Sequence, residues 1–260
     1  MGLISRGPAF QLLDQVAGYQ YRSADVIGVQ TPGNLAFFYR FQARHPDCRL
    51  EVLQNWLADA PDRGCGIDIA ATKLGGRRIF VYAGNMGVAQ QMDKLIDLAV
   101  AMRERRDVGF LFVGRGSEAQ RLRQIAEQRS PDNILFYDEI SPDDIPGLYR
   151  QCHVGMISLD SRHRTHNIPG KFLTYMQAGL PVLASINDGN DLRAVVESRA
   201  VGRVSVEREG KDLPQIVAAM IGAEMADAGI SGRCRRLSDE LFSARAAVEQ
   251  IVEAIASRTR

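Results

Sequence analysis

The sequence contains few cysteines, and they form none of the spacings that bind a metal. The four are far apart, with no CxxC pair and no Cys/His ligand spacing: Cys48, Cys65, Cys152 and Cys234. Structural zinc sites need such clusters, and small secreted proteins need paired cysteines. We therefore expect free thiols, no metal ion and a reducing, cytoplasmic location.

An excess of charge of either sign is also absent. The chain has 32 Lys and Arg against 31 Asp and Glu, a net charge of +1. This balance gives no overall field to attract nucleic acid, so no nucleic-acid partner is expected. No apolar run approaches the ~20 residues that span a bilayer, and the start, MGLISRGPAFQLLDQ, lacks the apolar core and cleavage site of a signal peptide.

What the chain does have, from Ile79 onward, is a regular alternation of short apolar segments and helical patterns. The apolar segments predict strands at Ile79–Ala83, Gly109–Val113, Ile134–Tyr137, Val154–Leu159, Val182–Ser185 and Gly202–Val206. Helices are predicted near 88–105, 117–128, 143–151, 169–178, 190–198, 211–222 and 235–257. Strands that are apolar throughout and separated by helices predict an α/β fold with a doubly wound parallel sheet, whose ligands lie beyond the carboxyl ends of the strands.

The residues before this alternation form a separate block, 1–57. Helices are predicted there at Phe10–Ala17 and Leu35–Ala43, and strands at Ala24–Gln30 and Leu50–Leu53. Two strands make too small a sheet to be stable alone. Residues 58–78 contain four glycines and a proline without periodicity, which predicts a linker. The main domain then covers 79–234, and 235–260 are predicted to form an amphipathic helix that packs toward the first block.

The stretch Val154–Asn187 has the pattern of an anion-binding element. A basic loop after its first strand leads to Pro169 and Gly170, where proline suits the first turn of a helix. Gly179 suits the left-handed end of the same helix. Because backbone N–H groups and the helix dipole favour an anion at such a start, the expected ligand is a phosphate.

Basic side chains surround this helix start. Arg164, His166 and Lys171 are expected to contact phosphate or sugar groups. His163 and His166 are three residues apart and are an alternative pair of metal ligands, but no third ligand of suitable spacing is near. The residue types therefore favour binding of a phosphorylated ligand over a metal.

Other loops follow candidate strands at the same expected edge of the sheet. Glycines in Gly84-Asn85-Met86-Gly87 permit close approach of a phosphate, although a plain tight turn is an equal alternative. Arg115 faces either a diphosphate or solvent. Asp188 lies in a loop that either binds sugar hydroxyls or forms only a turn.

The loop Tyr137-Asp138-Glu139-Ile140-Ser141 follows the third strand of the main domain. Its backbone groups are suited to reading the edge of a nucleotide base. The simpler alternative is that Ser141 or Asp143 caps the next helix. No Ser-His-Asp arrangement and no local pair of carboxylates points to nucleophilic or acid–base catalysis.

These segments carry a family resemblance. VYAGNMGVAQQMDKLIDLA, FLFVGRGSEAQRLR, NILFYDEIS and PGKFLTYMQAGLPVLA, in this order, resemble the carboxyl-terminal domain of retaining glycosyltransferases of family 4, which have the GT-B fold of two Rossmann-like domains. The branch that they resemble most contains the bacterial N-acetyl-L-fucosamine transferases of surface polysaccharide assembly. Residues 1–57 then resemble the end of the amino-terminal, acceptor-binding domain, most of which would precede Met1, so the chain is expected to be a fragment.

The resemblance implies a site for a nucleotide-diphosphate sugar, with UDP as the expected nucleotide and no bound cofactor. Residues expected at the donor diphosphate and sugar are Gly84, Asn85, Gly87, Arg115, Arg164, Gly170, Lys171 and Asp188. Residues expected at the nucleoside are Tyr137, Glu139, Ile140 and Thr174.

The chain departs from the family at two positions. His166 and Thr174 stand where the family has a Glu-x7-Glu pair. The first Glu lies near the reacting carbon, which makes His166 the candidate catalytic residue, and the second binds ribose hydroxyls, of which Thr174 can contact only one.

The leading hypothesis is retaining transfer of a hexosyl or N-acetylhexosaminyl group in lipopolysaccharide, capsule or exopolysaccharide synthesis, with this chain as the donor-binding half. The acceptor would be a lipid-linked saccharide, and the protein would lie in the cytoplasm or peripherally at the inner membrane. Two alternatives stay open: a nucleotide-sugar epimerase of GT-B fold, and a non-catalytic nucleotide-binding or interaction module. The first block, without further sheet neighbours, is expected to expose apolar surface and to favour self-association.

Overall fold

The structure, a computed structural model, describes residues 7–129, 132–163, 166–223 and 226–256. The first unit, residues 8–57, contains α1 (Pro8–Ser23), β1 (Val26–Val29), α2 (Pro32–Gln42) and β2 (Arg49–Val52). β1 and β2 pair in parallel, with Ile27 opposite Leu50. A small core of Ile27, Val29, Phe38 and Cys48 lies between this two-stranded sheet and α2.

The second unit, residues 58–256, is built on a six-stranded parallel sheet. Its strands are β3 (Arg78–Ala83), β4 (Val108–Val113), β5 (Ile134–Tyr137), β6 (Val154–Ser158), β7 (Val182–Ser185) and β8 (Gly202–Ser205). They lie in the order β5-β4-β3-β6-β7-β8. The predicted strands are confirmed to within one residue at each end.

Helices follow the strands and cover both faces of the sheet. They are α3 (Asp93–Ala101), α4 (Ala119–Arg129), α5 (Ile145–Tyr149), α6 (Gly170–Ala178), α7 (Leu192–Arg199), α8 (Leu213–Ala223), α9 (Ile230–Leu241) and α10 (Ala244–Ala256). Side chains of β3 alternate between two cores: Val81 packs on one face of the sheet and Phe80 on the other. The predicted doubly wound parallel α/β fold is thus confirmed.

Three helix predictions were wrong in extent. The helix predicted at Phe10–Ala17 is α1, which continues to Ser23. The helix predicted near 88–105 is a 3-10 turn at Val88–Gln90 followed by α3, because Gln91 takes a left-handed backbone with φ of 44°. The helix predicted over 235–257 is two helices, α9 and α10. The chain breaks there because the backbone at Phe242 and Ala244 bonds to Leu57.

The segment predicted as a linker, 58–78, is packed within the second unit. Ile67, Ile69 and Leu74 are buried in its core, and Ile69–Ala71 forms a 3-10 turn. One of the contacts with the first unit comes from α10, where Gln250 Nε2 donates to the Val52 carbonyl (2.9 Å). Within the described ranges, no helix combines the length and apolarity that crossing a bilayer requires.

A buried tyrosine of α6 links β3 to β6. The Tyr175 hydroxyl lies 3.1 Å from the Val81 carbonyl and 3.2 Å from the Met156 carbonyl, and accepts from the Ala83 N–H at 3.4 Å. Its ring occupies the space where a Cβ on Gly155 would lie, at 2.4 Å. The hydroxyl therefore satisfies backbone groups at the strand pair that carries the loops described below.

We predict that Tyr175→Phe lowers the free energy of unfolding by about 1–3 kcal/mol, because buried backbone groups lose their partner. Urea denaturation followed by circular dichroism measures this change. Tyr19→Phe, at an exposed position of α1, is the control and should change it by less than about 0.5 kcal/mol. Equal stability of the two variants would contradict the assignment.

Candidate functional site

The loops after β3 and β4 form one tightly packed surface at the carboxyl edge of the sheet. A Cβ on Gly114 would lie 2.1 Å from the Gly84 carbonyl oxygen, and one on Gly116 would lie 2.3 Å from that of Met86. Both glycines have positive φ, 142° and 151°. The Met86 N–H donates to the Arg115 carbonyl (2.8 Å). Only glycine permits this approach of the two backbones.

Within the first of these loops, Gly84 and Asn85 are exposed, and Gly87 is buried. The Gly84 N–H donates to the Val113 carbonyl (2.9 Å), and the Gly87 N–H donates to Gln90 Oε1 (3.0 Å). The loop is therefore held by its own hydrogen bonds. It presents an open backbone surface at Gly84 beside the start of α6.

Lys171, in the first turn of α6, lies over this surface. Its Nζ is 4.5 Å from the centroid of the Tyr82 ring and 3.7 Å from the position that a Cβ on Gly84 would occupy. Gly170, which begins the helix, is exposed, and a Cβ there would meet no atom within 4 Å. Cation, open backbone and helix start thus meet in one place, as predicted for an anion site.

The ammonium group of Lys171 has no carboxylate within ion-pair distance among the described residues. Burial lowers the pKa of Lys171 to about 8. A cation removed from water without a counter-charge is unfavourable, and an anionic ligand would relieve that cost.

A second buried lysine, Lys94, has carboxylates near enough for their charges to raise its pKa, although none that the structure describes forms an ion pair with it. Its Nζ lies 3.4 Å from Ser185 Oγ, and burial lowers the pKa of Lys94, while nearby carboxylates, Asp160 first among them, oppose that shift. Asp160 is itself buried, and its hydrogen bonds from Arg162 lower the pKa of its carboxyl group to about 2. Sequence reasoning missed this cluster of Lys94, Asp160 and Arg162. The one signal for it in the sequence is Asp160, an acidic residue soon after an apolar strand.

Two of the predicted site residues pair with each other. Arg115 Nε lies 2.9 Å from Glu139 Oε2, and both side chains are exposed. The Tyr137 carbonyl accepts from the Gly114 N–H (3.2 Å), so the loops after β4 and β5 are adjacent. Ile140 packs, partly buried, on the core. The structure therefore brings the loops together, with Arg115 in an exposed ion pair with Glu139.

The capping alternative for Ser141 is confirmed, because its Oγ accepts from the Asp143 N–H (3.3 Å) at the start of a 3-10 turn. Asp188 likewise forms a turn, with Oδ1 accepting from the Gly189 N–H (3.0 Å). Thr174 donates its hydroxyl hydrogen to the Lys171 carbonyl inside α6 (2.9 Å).

His166 lies at the interface between the two units. Its Nδ1 is 2.8 Å from the Gly189 carbonyl oxygen and 3.9 Å from Asp191 Oδ1. Arg164 lies outside the described residues. Within those residues, no group of three His, Cys, Asp or Glu side chains is arranged to hold a metal ion.

Two hydrogen bonds between the start of α2 and the second unit were not foreseen from the sequence. The Gly33 N–H donates to Asp191 Oδ2 (2.7 Å), and Asn34 Nδ2 donates to Asn167 Oδ1 (2.6 Å). The partners are 158 and 133 residues apart in the chain, so no local pattern connects them.

This architecture is that of GT-B glycosyltransferases. The chain belongs to the glycosyl transferases group 1 family, whose model matches residues 77–223. It is 23% identical over 207 residues to a probable glycosyltransferase, WbjE, of Pseudomonas aeruginosa, covering 75% of this chain and 49% of that protein. It is 30% identical over 110 residues to a putative colanic acid biosynthesis glycosyl transferase, WcaI, of Escherichia coli K12, covering 42% of this chain and 23% of that protein.

Solved structures show the same fold. HepE of Anabaena, in complex with UDP-glucose, superimposes with a TM-score of 0.71 at 16% identity, covering 95% of this chain and 68% of that one. TarM superimposes with a TM-score of 0.69 at 12% identity, covering 98% of this chain and 48% of that one. The chain thus spans about half the length of WbjE and of TarM.

Proposed function

We propose that this chain binds a UDP-linked nucleotide-diphosphate sugar as the donor half of a retaining glycosyltransferase of family 4. The transferred group would be a hexosyl or N-acetylhexosaminyl residue, and the process lipopolysaccharide, capsule or exopolysaccharide synthesis. Relatives named for glycosyl transfer and colanic acid synthesis support the process. The UDP-glucose in the HepE complex supports the donor class.

The observation that carries the proposal is the unpaired, partly buried ammonium of Lys171 at the start of α6. A diphosphate placed between Lys171 and the Gly84 backbone would meet a positive charge, a helix N-terminus and space that no side chain fills. Lys94 is a contrast within the same protein, because three carboxylate partners oppose the effect of burial on its pKa: Asp160, Glu207 and Asp212. The absence of such a partner from the described surroundings of Lys171 leaves its charge available to a ligand.

The proposed arrangement follows the edge of the sheet. The diphosphate would lie over Gly84 and Lys171, and the nucleoside would extend toward the loop after β5. Arg115 would exchange its contact with Glu139 for one with the diphosphate, which frees the Glu139 carboxylate for ribose or base. As the bond from the anomeric carbon to the diphosphate oxygen breaks, negative charge grows on that oxygen, and the positive groups stabilise it.

The acceptor would be a lipid-linked saccharide met by a cytoplasmic protein at the surface of the inner membrane. Since the chain spans 49% of WbjE, transfer belongs to the proposed whole transferase, and we expect this chain alone to bind donor without turnover.

We predict that UDP binds the wild-type chain and that Lys171→Met weakens binding by about 10–100-fold, because one charge-assisted contact is lost. Methionine keeps the packing of the side chain against Tyr82. Isothermal titration calorimetry measures the dissociation constants. Lys73→Met, at an exposed lysine before β3, is the matched control and should bind as the wild type does. If UDP, GDP and their sugars do not bind the wild type at millimolar concentration, the proposal fails.

UDP affinity should also depend on pH through Lys171. Since its pKa is about 8, the side chain is charged at pH 7 and largely neutral at pH 9.5, so we expect affinity to fall by about tenfold between these values.

The free energy of unfolding of the unliganded chain should change in the opposite direction and rise with pH. Between pH 8 and 10.5 the unfolded chain binds more protons at this lysine than the folded chain, so its contribution to the free energy of unfolding rises with pH.

Calorimetry and urea denaturation at several pH values measure both trends. Lys171→Met is the reference that should lack them. Trends that persist unchanged in Lys171→Met would assign the pH dependence to another group.

Self-association is proposed for the first unit and α10. No residue of α1 is buried, and α10 exposes a stripe at helical spacing: Val248, Ile251, Val252 and Ile255. We predict an oligomer by light scattering, with Val252→Glu shifting it toward monomer and Glu253→Ala, also exposed, leaving it unchanged. A monomeric wild type at high concentration would contradict this.

A further inference from the structure

The start of α2 fits against His166 with no room for a side chain. A Cβ on Gly33 would lie 2.6 Å from Cγ and 2.7 Å from Nδ1 of the imidazole, and 2.9 Å from Asp191 Oδ1. Gly33 does not have positive φ, so its backbone does not require glycine. The requirement comes from the histidine ring, which occupies the space of the missing Cβ.

Asp191 connects this glycine to the histidine. Its Oδ2 accepts from the Gly33 N–H at 2.7 Å, and its Oδ1 lies 3.9 Å from His166 Nδ1. One carboxylate of the second unit is thus hydrogen-bonded to the first unit and also faces the imidazole. Pro32 precedes Gly33 and has no N–H, so Gly33 offers the first free donor of α2.

The hydrogen bond of His166 determines which ring nitrogen carries the proton. Nδ1 is 2.8 Å from the Gly189 carbonyl oxygen, and a carbonyl can only accept. The neutral ring must therefore carry its proton on Nδ1, which leaves the lone pair on Nε2. An isolated imidazole prefers the opposite tautomer, so this one depends on its surroundings.

We propose that Asp191 is a positioning residue for His166, and that Gly33 of the first unit provides the space in which the imidazole ring lies. The contact of Gly33 and Asp191 with the ring then keeps Nδ1 on the Gly189 carbonyl, so that the proton stays on Nδ1 and Nε2 is the acceptor available to the donor sugar or the incoming hydroxyl. The inference rests on the proposed function in one respect, the placement of His166 at the sugar end of the donor site.

The test uses the full chain with ¹⁵N-labelled histidine and two-bond ¹H–¹⁵N correlation spectra, which distinguish the two tautomers. The chain has four histidines, and His166→Gln identifies the signals of His166 by their loss. We expect the Nδ1–H pattern in the wild type at a pH where the ring is neutral. Gly33→Ala, which inserts a methyl group into the ring position, and Asp191→Ala, which removes the carboxylate, should each move the pattern toward that of free imidazole.

Gly66→Ala is the matched control, because a Cβ there meets no atom within 4 Å, and it should leave the pattern unchanged. Alanine is favourable in a helical first turn, and circular dichroism verifies that Gly33→Ala folds; Asp191→Ala provides the test if it does not. An Nε2–H pattern in the wild type, or a wild-type pattern in both variants, would overturn the inference.

UDP titrations of the same samples separate this inference from the proposed function. Lys171→Met should lose UDP affinity and keep the His166 pattern, whereas Gly33→Ala should alter the pattern and change the UDP dissociation constant by less than about threefold. If the wild type does not bind UDP, the proposed donor site is wrong, and the tautomer measurement still tests the role of Asp191 and Gly33.

Discussion

The structure depends on a parallel sheet that must be covered on both of its faces. In β3, Phe80 packs in one core and Val81 in the other. Both faces of the sheet are therefore apolar and must be shielded from water. Parallel strands require crossover helices, and each crossover leaves the sheet at the same carboxyl edge. The loops after β3, β4, β5 and β6 therefore lie close together because of the sheet topology, independently of their side chains. The position of the candidate site is a consequence of how the core is buried.

At this edge, backbone packing and charge have separate roles. Gly114 and Gly116 allow two loops to touch, which creates a rigid surface without side chains. Lys171 is then buried beside that surface at a cost in solvation, and the low pKa of the ammonium reports that cost. If an anion binds here, as proposed above, it would relieve that cost.

The pKa values of two lysines of the second unit, Lys94 and Lys171, respond differently to burial. Lys94 is more deeply buried, but Asp160 and other carboxylates oppose the effect of burial. Lys171 is shifted by burial alone. Sequence reasoning selected Lys171 because it follows a proline and a glycine at a helix start. It had no means of recognising Lys94, whose partners come from other crossovers.

Local patterns in the chain determined the strands, most helices, the end of α6 at Gly179 and the loops that follow the strands, because hydrophobic periodicity and turn chemistry act over a few residues. The break between α9 and α10, the pairing of Arg115 with Glu139 and the contact of Gly33 with Asp191 were decided only by tertiary structure. Each joins residues distant in the chain, and no local propensity encodes such a contact. The packing of His166 against Gly33 was likewise decided by tertiary structure, because the two residues come from different units.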